Sequence, residues 1–454
     1  MTITHIRSRS CIPLFFFFLL SVLAFPQGQE TAPSEVTLDS AIKATVVKGV
    51  GRQLVDHYIF PETAEKMDAH LKAQLDQGKY DAIKDVQTFA GILTRDLRSI
   101  SKDKHIRVTF DPEAVRRIRA GESRDEKDRE RERKAALERE RRRNFGFRRL
   151  EILEGNIGYL ELTGFSGSSE AAETITAAMN FLAESDAVII DLRGNGGGSP
   201  FTIQIISSYF LKEYTHLNSF EWRGDDTIKQ FWTLRHVPGK KLYDTDLYIL
   251  TSPRTFSAAE EFTYNLKNLK RATIVGETTG GGAHPGGARI VNDSFLVWVP
   301  SGRAINPITG TNWEGTGIEP HIKVNQMKAL DTAHQKALEK IAGETNDPEH
   351  KRGLQWALDG LKARLEPAEV DEEMLRKYVG TYSRGEAFVK EGRLFFKTGY
   401  RAFPLIPLRD NYFVLEGWDA MRIEFVEDET GGGYVIRGHR RNGAPEISRR
   451  VDTD

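Results

Sequence analysis

The chain has 454 residues, more than one hydrophobic core usually supports, so two or three domains are expected from size alone. Its 64 Lys and Arg residues against 65 Asp and Glu residues give a net charge of -1. This balance removes any whole-chain electrostatic case for binding nucleic acid or an anionic membrane. Cys11 is the single cysteine, so disulfides within the chain and cysteine-based zinc sites are excluded.

The N-terminus has the pattern of an export signal. Arg7 and Arg9 precede an apolar run at 12–25, about the length of a signal-peptide core and short for a membrane span. We expect a signal peptide at 1–29 and an exported protein, periplasmic or extracellular, with no membrane association after cleavage. An uncleaved anchor is the alternative, because the cleavage site is ambiguous. Cys11 precedes the apolar run, which argues against lipidation.

Two segments precede the main alternating pattern. Residues 34–101 have helical periodicity, with Phe89, Leu93 and Leu97 recurring at every fourth position, and predict an N-terminal helical domain. Residues 112–146 alternate in charge and are nearly free of large apolar residues after Ile118. This composition indicates a charged arm or linker, either a solvated helix or a flexible segment, rather than an interaction site.

Strands and helices alternate through 147–325. Apolar runs such as "AVIIDL", "LYILT" and "ATIVG" are separated by amphipathic stretches, which predicts an α/β core with a mainly parallel sheet. "ARIVNDSFLVWVP" adds a hairpin that turns at Asn292 and Asp293. A helical connector is expected at 326–366. Short alternating runs at 369–454 predict a small antiparallel β domain or barrel.

A glycine-rich turn follows the buried "AVIIDL" run. "DLRGNGGGSP" can aim backbone N–H groups at one point, as an anion or a developing oxyanion requires. A dinucleotide-binding motif starting at Gly194 would need Gly or Ala at its last position, where Ser199 stands. No convincing acidic residue follows at the position that would bind the ribose. A phosphate loop fails for want of its Lys-Ser or Lys-Thr ending. The remaining alternative is a turn that serves tight packing alone.

Ser257 lies in "TFSAAEEF", between a strand pattern and a helix pattern. A serine nucleophile at the start of a helix would stand at the positive end of the helix dipole, beside the N–H of Ala258. The alternative is an N-cap hydroxyl, with Glu260 as its capping-box partner. The local pattern does not decide between the two.

Several separate stretches jointly resemble one family, the tail-specific or C-terminal processing peptidases. They are "SKDKHIRVTF", "GNIGYLELTGF", "AVIIDLRGNGGG", "LTSPRTFSAAEEF", "TIVGETTGGGAHPGG" and "GRAINPITGTNWEGTGIEPHIKV". Their order and spacing are similar to the branch with tricorn protease and the interphotoreceptor retinoid-binding protein repeats. The resemblance implies a crossover βαβ (ClpP-like) serine peptidase core preceded by a helical domain. It implies that Ser257 is the nucleophile.

The resemblance also implies which residue acts as the general base. Members with a Ser-Lys dyad carry the lysine in a turn after the nucleophile helix, but Gly281 stands at the matching position here. The tricorn-like branch takes a histidine from the junction of the helical domain and the core, which matches His105. A neutral imidazole suits a base that works near pH 7. His284, in the glycine-rich turn, is a rival base.

An imidazole base needs an orienting partner. In tricorn-like members a glutamate acts through a serine next to the histidine; Glu314 matches the glutamate, but Lys104 stands at the serine position. Either Glu314 reaches His105 directly or through water, or Asp103 takes part. The oxyanion would be stabilised by N–H groups of Gly196 or Gly197 and of Ala258. No cofactor is expected, and no metal, since no His-Glu-x-x-His or comparable ligand set occurs.

The expected function is cleavage of peptide or unfolded protein substrates by an exported serine-type endopeptidase or C-terminal processing peptidase. The charged arm occupies the interval where many relatives carry a PDZ domain, so recognition of a substrate tail by such a domain is not expected. The alternatives are a non-catalytic protein that binds an apolar ligand, retinoid or lipid, and a hydrolase of non-peptide esters or amides. The oligomeric state stays open, a homo-oligomer included.

Overall fold

The computed structural model describes residues 38–123, 126–225, 227–429 and 433–451. The expected signal peptide at 1–29 lies outside the described residues. The helices of the described part are α1 (Ser40–His57), α2 (Pro61–Asp76), α3 (Val86–Ser101), α4 (Pro112–Ser123), α5 (Glu126–Arg142), α6 (Ala171–Phe181), α7 (Pro200–Phe210), α8 (Ala258–Asn268), α9 (Ala329–Glu344), α10 (Pro348–Leu365) and α11 (Glu372–Lys377). Its strands are β1 (Arg107–Phe110), β2 (Phe147–Leu153), β3 (Ile157–Leu162), β4 (Ala187–Asp191), β5 (His216–Trp222), β6 (Ile228–Trp232), β7 (Asp246–Thr251), β8 (Thr273–Gly276), β9 (Gly286–Ile290), β10 (Phe295–Pro300), β11 (Gly302–Ile305), β12 (Ile322–Lys323), β13 (Gly380–Tyr382), β14 (Gly385–Lys390), β15 (Arg393–Thr398), β16 (Arg401–Arg409), β17 (Tyr412–Leu415), β18 (Met421–Glu427), β19 (Tyr434–Arg440) and β20 (Glu446–Ser448).

Helices α1 to α3 pack together at the start of the chain. Asp39 and Asp85 cap α1 and α3 by accepting backbone N–H groups of the first turn, as short acidic side chains do at helix starts. Lys102 follows the last residue of α3 and caps it in a left-handed conformation, with φ of 60°. The helices share their core with strand β10, and β1 pairs antiparallel with β10. The helical region is therefore joined to the core by a sheet as well as by the chain.

The charged arm is helical. It forms α4 and α5, and α5 has no buried residue. Charged side chains three or four positions apart pair along α5, among them Lys134 with Glu130 and Arg141 with Glu138. Such exposed pairs add little stability each, so α5 behaves as a solvated helix.

The central sheet has six strands in the order β12-β8-β7-β4-β3-β2. Every neighbouring pair is parallel except β2 with β3, which is antiparallel. Helices α6, α7 and α8 pack in one apolar cluster with the sheet, and α9 and α10 in another. All five residues of β4 are buried, which explains why its sequence is continuously apolar up to Asp191. The mainly parallel sheet predicted from the alternating pattern is confirmed.

Two smaller sheets flank this core. Strands β9 and β10 form the hairpin expected at Asn292 and Asp293. Strands β11, β5 and β6 form an antiparallel sheet. This sheet was not predicted, because only amphipathic stretches were expected between "AVIIDL" and "LYILT".

The C-terminal region is an eight-stranded antiparallel sheet in sequential order from β13 to β20. Tyr382 bridges to Arg450, and the Val451 N–H donates to the Thr381 carbonyl, so the first strand meets the end of the last. The sheet therefore curls toward a barrel around its own apolar core. The predicted fold class, an α/β core with an N-terminal helical region and a small C-terminal antiparallel β domain, is confirmed. Within the described ranges no helix is long and apolar enough to cross a membrane.

Candidate active site

The candidate site lies where three parallel strands end. The glycine-rich turn follows β4, Ser257 follows β7, and the turn with Gly281 and Gly282 follows β8. In open α/β sheets, clefts for ligands form at the carboxyl ends of the strands. The topology therefore brings these separate motifs to one edge of the sheet.

Ser257 has a strained backbone. Its φ of 54° and ψ of -120° lie outside the regions that ordinary residues prefer, although the next residue begins α8. A strained turn between a strand and a helix projects a nucleophilic side chain into the cleft above a sheet. The backbone N–H of Ser257 donates to the Glu260 carboxylate at 2.9 Å. This is one of the two hydrogen bonds of the capping box that the sequence offered as an alternative.

Glu260 holds the surrounding turns together. It is fully buried and accepts, besides the Ser257 N–H, the hydroxyl of Thr279 at 2.5 Å and the N–H groups of Gly281 and Gly282 at 2.7 and 2.8 Å. Burial raises the pKa of Glu260, while these donors counteract that rise. Its side chain thus ties the Ser257 turn to the turn after β8.

The glycine-rich turn packs directly against Ser257. A Cβ atom added at Gly197, where φ is 113°, would lie 2.8 Å from Ser257 Cβ and 3.0 Å from the Ala258 nitrogen. At Gly198 an added Cβ would collide with the Phe165 backbone, whereas a Cβ added at Gly196 would meet open space. The Gly197 N–H donates to Asn195 Oδ1 at 2.9 Å. Glycine is therefore required at 197 and 198 for close approach.

His105 lies in the loop between α3 and β1. Its side chain is 12% exposed, and its ring packs against Phe256 with a centroid separation of 4.7 Å. A Cβ atom added at Gly282 would lie 2.7 Å from His105 Cε1. Burial lowers the pKa of His105, which favours the neutral imidazole. In the described part of the chain, His105 makes no hydrogen bond with Ser257, although Gly282 neighbours the His105 ring and lines one pocket with Ser257.

Two carboxylates and a second histidine lie behind His105. Asp103 is fully buried. Its Oδ1 accepts the backbone N–H of His105 at 3.0 Å and lies 3.9 Å from the ring nitrogen Nδ1 of His105. Its Oδ2 accepts the Tyr58 hydroxyl at 3.2 Å and lies 2.9 Å from His284 Nδ1. His284 is also buried, and its Nδ1 lies 3.5 Å from Glu314 Oε2. The rival base is thus paired with two carboxylates.

Glu314 is held beside the His105 loop by backbone groups. Its Oε2 accepts the Ala283 N–H at 2.5 Å, and the backbone of Lys104 also donates to its carboxylate. The Lys104 side chain points elsewhere and donates to the Gly280 carbonyl at 2.5 Å. Burial, and then the charge of Asp103, raises the pKa of Glu314 to about 7. Lys104 therefore links Glu314 to the His105 loop through its backbone instead of through a side chain.

Three of these side chains could also serve as metal ligands. Asp103, His105 and Glu314 each offer one ligand atom, and these atoms lie within 4.8 Å of one another. His105 Nδ1 and Glu314 Oε1 are buried and have no hydrogen-bond partner in the described part of the chain. A histidine beside two carboxylates is also the arrangement found where acidic groups orient a histidine that acts as a general base.

A pocket of about 310 Å³ opens beside Ser257. Ser257, Ala258, Gly198 and Gly282 lie at its edge. Aromatic side chains form much of its wall: Phe220, Trp222, Phe231 and Trp313. Three of these four come from β5 and β6, the sheet that the sequence analysis did not identify.

The structure thus forms two groups, Ser257 with Ala258 and Gly197, and His105 with Asp103 and Glu314. The His105 ring packs on Phe256, the residue before Ser257. Sequence reasoning missed that Glu260 binds the turn after β8, since its spacing from Ser257 indicated only a helix cap. It also missed the pairing of Asp103 with His284. Neither contact has a local signal, because each joins residues far apart in the chain.

Two family models match the chain. Residues 156–324 match peptidase family S41. Residues 30–140 match the N-terminal domain of peptidase S41 in eukaryotic IRBP. These two matches confirm the resemblance to the tail-specific or C-terminal processing peptidases.

Individual relatives are similar over shorter stretches. The carboxy-terminal processing protease CtpB of Bacillus subtilis is 27% identical over 210 residues, 45% of this chain and 42% of the relative. A carboxyl-terminal-processing protease of Synechocystis sp. is 32% identical over 128 residues, 28% of each protein. The solved photosystem II D1 C-terminal processing protease is 23% identical, with 38% of this chain and 43% of that chain covered and a TM-score of 0.31. The chain spans less than half the length of these relatives.

Proposed function

We propose that this chain is a serine peptidase that hydrolyses peptide bonds with Ser257 as nucleophile and His105 as general base. The observation that carries the proposal is the strained backbone of Ser257 in the turn after β7, packed closely against Gly197. The His105 ring packs on Phe256, the residue before this serine. Packing alone gives no reason for a polar residue to adopt that backbone conformation. The match of residues 156–324 to peptidase family S41 agrees with this function.

The proposed reaction begins with attack of Ser257 Oγ on the carbonyl carbon of the scissile bond. His105 Nδ1 faces the carboxylates, which leaves Nε2 to accept the serine proton and then to donate it to the leaving amine. The serine acyl-enzyme is hydrolysed by water, which His105 deprotonates in turn. Binding of a substrate would have to draw His105 and Ser257 into hydrogen-bonding range, since catalytic hydrogen bonds often form only in the complex.

The developing oxyanion would be stabilised by backbone N–H groups beside Ser257. Ala258 supplies one from the first turn of α8, and Gly196 supplies another from the glycine-rich turn. The Gly197 N–H is engaged by Asn195, so its contribution would require that bond to break. Loss of one such donor typically costs on the order of 3 kcal/mol in the transition state.

Glu314 is the proposed orienting residue for the His105 imidazolium, with Asp103 as a second carboxylate on the same side. Both lie close to His105 Nδ1. A negative charge there stabilises the protonated ring that forms during attack. We further propose that the chain is exported with the signal at 1–29 and that its substrates are peptides or unfolded proteins. No metal or cofactor takes part in this mechanism.

Labelling with a fluorophosphonate probe tests the nucleophile. The wild-type protein should be labelled, Ser257→Ala should not, and His105→Ala should be labelled at least a hundredfold more slowly. Ser169→Ala is the matched control, because Ser169 is exposed and lies outside the cleft. Undiminished labelling of Ser257→Ala would contradict the proposal.

A second function is supported by the aromatic pocket beside Ser257, which could hold an apolar ligand without catalysis. This non-catalytic binding protein would show no labelling of the wild-type chain and would co-purify with a retinoid or lipid. Native mass spectrometry of the purified protein detects such a ligand.

A further inference from the structure

The pocket beside Ser257 has a polar end as well as aromatic walls. Glu261 lines it, one helical turn beyond Ala258 on the same face of α8. Asn265 follows one turn further along that face. Asn218 shares a strand face with Phe220 and Trp222, because side chains of a strand alternate, and its side chain approaches the Glu261 carboxyl. Among the residues that line the pocket, Glu261 supplies the one carboxyl group.

These polar groups are buried and incompletely paired. Asn218 and Asn265 are fully buried, and Glu261 is 3% exposed. Glu261 Oε1, Asn218 Oδ1 and Asn265 Nδ2 have no hydrogen-bond partner within the described ranges. Buried polar atoms are normally satisfied, and leaving one unsatisfied typically costs about 1–3 kcal/mol. Of the three residues, Glu261 lines the pocket, so its carboxyl is the group that a polar group of a ligand would pair with.

The charges around the pocket favour a neutral polar group. Burial raises the pKa of Glu261 to about 8, so its carboxyl is largely protonated at neutral pH and can donate as well as accept. Lys229, which also lines the pocket, would repel a cationic side chain. A lysine or arginine would have to ionise Glu261 and form a buried ion pair, whose desolvation opposes binding.

We propose that this pocket receives the substrate side chain preceding the scissile bond and selects an aromatic ring with a neutral polar tip, tyrosine above all. The inference rests on the proposed function, since only a peptidase presents such a side chain next to Ser257. The ring stacks among Phe220, Trp222 and Trp313, and the hydroxyl reaches Glu261. Phenylalanine would fill the walls but leave the polar end unsatisfied.

Cleavage of four internally quenched peptides tests the inference. The peptides are identical except for Tyr, Phe, Lys or Ala before the scissile bond, and mass spectrometry identifies the bond that is cut. The kcat/KM for the Tyr peptide should exceed that for the Phe peptide by about tenfold or more, because the hydroxyl pairs otherwise unsatisfied groups. Equal rates for Tyr and Phe, or fastest cleavage of the Lys peptide, would overturn the inference.

Two variants identify the residue responsible. Glu261→Leu should bring the Tyr-to-Phe ratio of kcat/KM close to one, whereas Glu261→Gln should retain most of the preference, because an amide still donates and accepts. Fluorophosphonate labelling of Ser257 in both variants establishes that the site is folded. A ratio unchanged in Glu261→Leu contradicts the role of this residue.

Failure of the inference and failure of the proposed function give different results. Cleavage that depends on Ser257 but shows no tyrosine preference overturns only the inference. If Ser257→Ala still cleaves the peptides, the peptidase function is overturned and the inference with it. The same holds if the wild-type protein cleaves none of the four peptides, whether or not it reacts with the fluorophosphonate probe.

Discussion

The Glu260 carboxylate accepts the Ser257 N–H at 2.9 Å and, with its other contacts, joins the nucleophile turn to the turn after β8. Removing it would leave buried donors without an acceptor. Glu260→Ala should therefore lower both Tm and the rate of fluorophosphonate labelling, the latter at least tenfold, because each orphaned donor costs about 1–3 kcal/mol. Thermal unfolding and labelling kinetics measure the two effects. Glu366→Ala, at an exposed position, is the control and should change neither.

The two histidines should respond differently to substitution. His105→Ala should lower kcat by about ten-thousandfold, because the general base is lost. His284→Ala should mainly lower Tm, since it leaves Asp103 and Glu314 with one buried partner fewer, and should reduce kcat less than a hundredfold. Steady-state kinetics and thermal unfolding of both variants check this. The reverse order of the kcat effects would identify His284 as the base.

The pH dependence should reveal Glu314. Its pKa of about 7 means that it loses its charge as the pH falls through 7, and with it the stabilisation of the His105 imidazolium. Burial lowers the pKa of His105 from its usual value, so this ring becomes protonated only at more acidic pH. The kcat/KM should therefore fall in two steps on acidification.

In Glu314→Gln the upper step should be absent and the lower step should remain, with a reduced plateau. A pH–rate profile from 5 to 9 for both proteins is the measurement. Retention of the step near pH 7 in the variant would assign it to another group, and Asp103→Asn then tests the second carboxylate.

The glycine-rich turn offers a matched pair of substitutions. Gly197→Ala should abolish labelling and lower Tm, because the new Cβ would press on Ser257 and the φ of 113° is unfavourable for alanine. Gly196→Ala should be close to wild type, since open space surrounds that position and its N–H is kept. Equal effects of the two substitutions would contradict the close packing of Gly197 on the nucleophile.

Much of the fold was predictable because its signals are local. The buried strand at Ala187–Asp191 and the helix after Ser257 each have a period that is visible within a dozen residues. The sheet of β5, β6 and β11 was not, because β5 is buried at four consecutive positions and β6 is exposed at three, so neither strand alternates as a typical half-buried strand does. β11, in turn, pairs with a strand some eighty residues earlier.

The same distinction applies to the site. Ser257 and the glycine-rich turn could be identified because they lie in recognisable stretches next to strands. The network behind His105 could not be derived, since Asp103 meets His284 only after the helical region docks on the core. Likewise the pocket depends on Glu261 and Phe220 approaching from a helix and a strand that are distant in sequence.

The Phe256 ring links the two parts of the site. It belongs to the residue bonded to the nucleophile, and it packs on His105, which lies between the last helix of the N-terminal region and β1. Under the proposed roles, neither half can cut a polypeptide by itself. The chain would therefore gain peptidase activity only once the helical region and the core have packed together.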